Sequence, residues 1–212
     1  MDDCAPPAPR SRPDRPGGFQ KKFPALMREI EAAHPEAERI ELWYQDEARV
    51  GQKGRLSRRW YQRGMRPRGL RDHRFGSAYI FGATCPERDT GVAIVITRAS
   101  AKAMNLMLAE LAQALPPGTH AVLLMDNAGW HIADELVVPP TITLVPLPPY
   151  SPELNAIERV WLHLRDRFFS NAIFPDVAAV IDACCDTWNA LLADTGRIRS
   201  LCSLPWMAEV KT

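Results

Sequence analysis

The sequence predicts an α/β domain built on a mixed sheet, and three observations carry that prediction. Residues 120–125 form an almost unbroken apolar run that ends in Asp126, the pattern of a central strand buried on both faces. Ile40, Leu42 and Tyr44 alternate with Glu41, Trp43 and Gln45, the period of a strand. Strand-like runs follow one another as a meander in the first half of the chain and alternate with helix-like periods in the second. A length of 212 residues fits one domain, and 46% hydrophobic with 24% charged residues excludes a chain disordered throughout, a collagen and a disulfide miniprotein.

The elements follow in order. Pro6, Pro7, Pro9, Pro13 and Pro16 with Gly17 and Gly18 do not propagate a helix, so a disordered, Pro-rich basic arm is expected over residues 1–22. Phe23, Leu26, Met27 and Ile30 predict a helix over 23–33, stopped at His34-Pro35. A strand over 39–45 ends at Asp46 and Glu47, and further strands are expected at 58–62, 77–84 and 91–97. Ser100 caps a helix through Ala103, Met104, Met107, Leu108, Leu111 and Leu115 that Pro116-Pro117 ends. After the apolar strand come a short helix over 132–136, a strand over 141–147 and the breaker Pro148-Pro149. Ser151-Pro152 has the form of a helix start, and that helix runs to about Phe169 with Leu154, Ile157, Trp161, Leu164 and Phe168 as its packing stripe. A last helix over 176–193 buries Val177, Val180, Ile181, Cys184, Trp188 and Leu191, and residues 201–212 are read as a tail.

No run approaches the ~20 apolar residues of a membrane span, and the first residues carry no apolar signal core, so a cytoplasmic protein is expected. The five cysteines are odd in number and lack paired metal-ligand spacing, which predicts reduced, mostly buried thiols. A net charge of +1 conceals the segment 49–74, which holds ten Lys and Arg residues against the single acid Asp72. Within it Arg49, Lys53, Arg55, Arg58, Arg59, Arg63, Arg66 and Arg68 surround Trp60 and Tyr61, a mixture suited to phosphates and unstacked bases. A solvated charged loop is the alternative for such a run.

Three carboxylates stand at element ends or beside an apolar face: Asp46, Asp126 and Glu158, the last at the border of the helix stripe. Taken singly, each is an ordinary cap or surface charge. Strand alternation sends Asp46 and Glu47 to opposite faces, and geometry alone does not choose between them.

The strings Tyr44-Gln45-Asp46-Glu47-Ala48, Leu124-Met125-Asp126-Asn127-Ala128-Gly129-Trp130-His131 and Leu147-Pro148-Pro149-Tyr150-Ser151-Pro152-Glu153-Leu154-Asn155-Ala156-Ile157-Glu158 resemble the catalytic core of mariner-like DDE transposases, in particular their bacterial insertion-sequence branch. The resemblance spans about residues 39–169, departing at Ala156, where the family usually has Pro, and in a short spacing between Asp126 and Glu158. It implies a ribonuclease H-like fold over residues 23–200, a mixed five-stranded sheet flanked by helices. It also selects Asp46 over Glu47, and implies that Asp46, Asp126 and Glu158 hold two Mg²⁺ ions, with Mn²⁺ as a substitute, for cleavage and strand transfer of DNA. His131 is implied as an outer group of the metal site or a phosphate contact, with a solvent-facing helix start as the alternative, and Asn127 either orients Asp126 or caps a helix.

The partners implied are transposon ends and target DNA, bound by a homodimer in the bacterial cytoplasm and nucleoid. Family members carry helix-turn-helix modules ahead of the core, and residues 1–18 are too short and Pro-rich to form one. Two further readings stay open: a ribonuclease H-like nuclease without strand transfer, and a non-catalytic remnant that binds nucleic acid or a partner.

Overall fold

A computed structural model describes residues 16–53, 63–64, 74–127, 135–170 and 172–207. Its strands are β1 (Arg39–Gly51), β2 (Ser77–Cys85), β3 (Thr90–Ile96), β4 (Thr119–Met125) and β5 (Ile142–Pro146), and its helices are α1 (Pro16–Ala33), α2 (Ala101–Ala114), α3 (Ile157–Leu164), α4 (Val177–Ala193) and α5 (Arg197–Cys202). The strands form one sheet in the order β3-β2-β1-β4-β5. β1, β2 and β3 pair antiparallel, whereas β4 pairs parallel with β1 and with β5. This order, with a hairpin meander on one side and parallel strands on the other, is the ribonuclease H-like sheet.

Two cores sandwich the sheet, and strand alternation decides which residue enters which. Tyr44 and Val50 of β1 and Val122 and Leu124 of β4 face the larger core with α1, α3, α4 and α5. Trp43 of β1 and Ala121, Leu123 and Met125 of β4 face the smaller one, which α2 closes with Met104, Met107, Leu108 and Leu111. Every residue of β4 is buried, as its apolar run requires. The Ser100 hydroxyl accepts from the Ala103 amide at 3.3 Å to start α2, and the Asp176 carboxylate accepts from the Ala179 amide at 2.8 Å to start α4.

The structure moves several boundaries. β1 runs on to Gly51, so Asp46 lies inside the strand and not at its end; the ladder to β2 continues from Tyr44 to Gly51 and holds the polar residues extended. α1 begins at Pro16, earlier than the expected arm allows, because a Pro is tolerated in a first helical turn. The helix expected over 151–169 is divided into a 3₁₀ turn over Pro152–Leu154, the α-helix Ile157–Leu164 and a π-turn over Arg165–Phe169. Asn155 breaks it by leaving helical geometry and spending its side chain on the β1 backbone, with Nδ2 donating to the Gln45 carbonyl at 2.8 Å.

Residues 201–207 are packed structure and not a tail. Cys202 and Leu204 are buried, and the Trp206 ring meets Phe23 edge-on at 5.4 Å. So short an apolar stretch carries no period that sequence reading could detect. Asp89, in the β2–β3 turn, accepts from the amides of Gly196 and Arg199 and fastens α5 to the hairpin. Cys85, Cys184 and Cys202 are buried free thiols and Cys185 is an exposed one. Among the described residues no helix is long and apolar enough to cross a membrane. The strand expected over 58–62, most of the helix over 132–136 and residues 1–15 of the arm lie outside the described residues.

Candidate active site

β4 stops pairing with β1 at Tyr44, and Asp46 follows two residues later on the face of the larger core. The carboxylate is 9% exposed, and its Oδ2 accepts from Trp161 Nε1 at 3.0 Å. Trp161 belongs to α3, so the helix that carries Glu158 also touches Asp46 directly. Glu158 is in the first turn of α3, half-buried, at the end of the helix where backbone N–H groups favour negative charge. Asp126 follows the last residue of β4 and is exposed. Its flanks are anchored to one residue: the Leu147 amide donates to the Met125 carbonyl at 2.8 Å, and Asn127 Nδ2 donates to the Leu147 carbonyl at 2.9 Å.

The three carboxylates come from β1, the end of β4 and the start of α3, and they line one cavity of about 420 Å³ together with Asn127, Asn155 and the segment from Leu147 to Pro152. A second cleft of about 490 Å³ shares Asp46 and Glu158 and adds Glu47, Arg49, Lys53 and Arg165. The pair lies where a doubly flanked sheet opens a crevice beside its parallel strands. Burial pushes the Asp46 carboxyl up to about 8; Glu158, Glu47 and Asp126 add to the rise, while the backbone N–H of Glu47 opposes it. Glu158 is raised by burial, with Arg165 opposing and Asp126 adding. Negative charges held together out of water are a feature that a bound cation would relieve.

Among the described residues no group of three or more His, Cys, Asp or Glu side chains is arranged to hold a metal ion. The donor chemistry nevertheless suits a hard divalent cation: among the described residues the cavity offers carboxylate oxygens with amide and hydroxyl groups beside them and no thiol or imidazole, and it has room for the water ligands that Mg²⁺ keeps.

Of the basic residues singled out in the sequence, Arg49 and Lys53 line the cleft beside Asp46, and Arg63 is exposed and lines neither cavity. Arg55, Arg58, Arg59, Trp60, Arg66, Arg68 and His131 lie outside the described residues. Sequence reading passed over Asn155, Arg165 and Trp161. Trp161 was hidden because its position in the apolar stripe explains a tryptophan completely; its polar N–H, three residues past Glu158, was the available signal.

A ribonuclease H-like sheet with three acidic residues on a cavity beside its central strands defines a class of nucleic-acid-processing folds. Residues 41–181, about two thirds of the chain, match the DDE superfamily endonuclease family, and the chain belongs to it. The uncharacterized protein y4pE/y4sA of Sinorhizobium fredii (strain NBRC 101917 / NGR234) is 44% identical over 129 residues, 61% of this chain and 96% of that protein. Among solved structures, the Mos1 mariner paired end complex with Mn is similar over 100% of this chain, with a TM-score of 0.64 and 15% identity, and the Mos1 strand transfer complex with a TM-score of 0.60 and 15% identity. This chain spans 66% and 65% of those two Mos1 chains, and at such identity the likeness is one of fold.

Proposed function

We propose that this chain is the catalytic domain of a DNA transposase that cleaves phosphodiester bonds at transposon ends and joins the freed ends to target DNA. The observation that carries the reading is the meeting of Asp46, Asp126 and Glu158, from three separate elements, on one cavity. Membership of the DDE endonuclease family supports it, as do the Mos1 structures, which are described as complexes with a transposon end, with Mg and with Mn.

In this reading Asp46, Asp126 and Glu158 would together hold the divalent cations, Mg²⁺ or Mn²⁺. When bound, such ions neutralise phosphate charge and lower the pKa of an attacking water or 3′-hydroxyl. The chain's own residues supply position. β1 presents Asp46 from a rigid ladder, the two bonds to Leu147 fix the backbone on either side of Asp126, and Asn155 pins the start of α3 to β1. Arg49, Lys53 and Arg165 give the adjoining cleft three cations that suit the phosphates flanking the scissile one. Hydrolysis breaks the P–O3′ bond and frees a 3′-hydroxyl; in strand transfer that hydroxyl attacks a target phosphodiester and releases a target 3′-hydroxyl. Work at two ends suits a homodimer, in which each copy handles one.

The test is a nicking and joining assay on labelled duplexes that carry the element's ends, with Mg²⁺, Mn²⁺ or EDTA. Metal-dependent nicking and joined product are expected, with Asp46→Asn, Asp126→Asn and Glu158→Gln each at least ~10³-fold slower. Glu47→Gln, which does not line the cavity shared by the three carboxylates, is expected to stay within about tenfold of wild type. Nicking without joining would make the protein a nuclease, and DNA binding without nicking would make it a binding remnant.

A further inference from the structure

Two side chains close to Glu158 in sequence reach back to β1 on either side of the same peptide. Asn155 Nδ2 donates to the Gln45 carbonyl at 2.8 Å, and Trp161 Nε1 donates to Asp46 Oδ2 at 3.0 Å. Both residues are buried, at 4% exposure each. They therefore fasten the segment bearing one acidic residue of the site to the strand bearing another.

We infer that Trp161 is a positioning residue for metal binding: its indole N–H fixes the plane of the Asp46 carboxylate and so sets which oxygen Asp46 offers to a divalent cation. The inference rests on the reading of Asp46, Asp126 and Glu158 as the metal-holding set. A carboxylate on a free Cβ–Cγ bond turns through a broad torsional range, and one fixed donor on one oxygen removes that freedom. The donor is itself buried and packed on both sides. The ring lies 6.0 Å from that of Trp188, and both indoles sit over Gly82, the residue opposite Asp46 in the ladder, where no side chain intervenes. An N–H on a rigid, buried ring holds a direction better than one on a long polar side chain, and groups that orient metal ligands in this way typically contribute 10- to 100-fold in metal affinity or activity. A tryptophan present only to fill the core would need its N–H satisfied by any acceptor, and its loss would lower stability without touching metal affinity.

The experiment measures Mn²⁺ binding to the full chain by calorimetry for wild type, Trp161→Phe, Trp188→Phe and Asp46→Asn, with thermal unfolding of each. Trp161→Phe keeps the ring and loses the N–H; it is expected to bind Mn²⁺ about 10- to 100-fold more weakly, and to need correspondingly more Mn²⁺ for half-maximal nicking. Trp188→Phe, which changes the same cluster, is expected to retain wild-type affinity. Equal affinity in Trp161→Phe and wild type, with Asp46→Asn impaired, overturns this inference alone. A wild-type chain that binds no Mn²⁺ overturns the metal-site reading, and this inference with it. Should Trp161→Phe fail to fold, ¹⁵N–¹H NMR of the wild type decides: the Trp161 indole resonance is expected to shift on adding Mg²⁺ while that of Trp188 stays, and an unmoved Trp161 resonance overturns the inference.

Discussion

Gly82 stands opposite Asp46 in the β1–β2 ladder, and the place its side chain would take is occupied by the rings of Trp161 and Trp188. A Cβ built there would lie 2.8 Å from Trp161 Cη2 and 2.9 Å from Trp188 Cη2. Gly82→Ala is therefore expected to destabilise the protein by about 1–3 kcal/mol through overpacking, seen as a fall in Tm of about 2–12 °C in calorimetry. An unchanged Tm would mean that the two rings yield freely.

The charge on Asp46 opposes folding when no cation is bound. Its carboxyl is raised from 3.8 to about 8, so the folded state holds the proton more tightly than the unfolded chain. That contribution to stability is complete below pH 3.8 and is lost as pH rises through about 8. In EDTA the wild type is expected to lose stability between about pH 5 and pH 8.5, whereas Asp46→Asn, which keeps an acceptor for Trp161 and leaves only the raised Glu158 to contribute, loses less and is more stable at pH 8.5 by about 1–3 kcal/mol. Urea midpoints across that range check it, and saturating Mg²⁺ should reverse the order of the two proteins.

Arg49 and Lys53 line the cleft beside Asp46. If both contact phosphate, changing the two together to Ala lowers the slope of log K against log salt for duplex binding by about 1.8, at ~0.9 for each contact. Fluorescence anisotropy between about 50 and 200 mM salt reads this. An unchanged slope puts both side chains off the DNA path.

Tyr150 is fully exposed on the rim of the carboxylate cavity, held with φ at +57°. If the proposed DNA substrate binds at this cavity, an aromatic ring presented to solvent on its rim would stack on an unpaired base. Tyr150→Gly accepts that φ without strain, so it is expected to leave Tm unchanged and to weaken binding to DNA with a single-stranded end by roughly 1–2 kcal/mol, about five- to thirtyfold. Equal affinity would assign the ring no part in binding.

How far the sequence could be read depends on what kind of force fixes each feature. β4 and α2 were legible because long apolar runs and 3.6-residue periods are one-dimensional records of burial. The three acidic residues were legible through their strings and their places beside apolar elements, and the structure brings them to one cavity. The extension of β1 past Asp46 was not, since polar residues held by a neighbouring ladder show no alternation of burial type. The break at Asn155 was hidden for a related reason: its partner is the carbonyl of Gln45, far away in sequence. The Trp161 bond to Asp46 joins residues 115 positions apart and leaves no local pattern.

β1 pairs with β4, joining residue 39 to residue 119, and the third acidic residue arrives only with α3. A ribosome adding 5–20 residues per second needs roughly 5–20 s to pass from Asp46 to Glu158. Throughout that interval the emerging polypeptide holds its first carboxylate without the helix that completes the set, even once β2 has emerged to pair beside it. A premature stop before Glu158 thus yields a fragment that lacks α3 and the third carboxylate of the cavity.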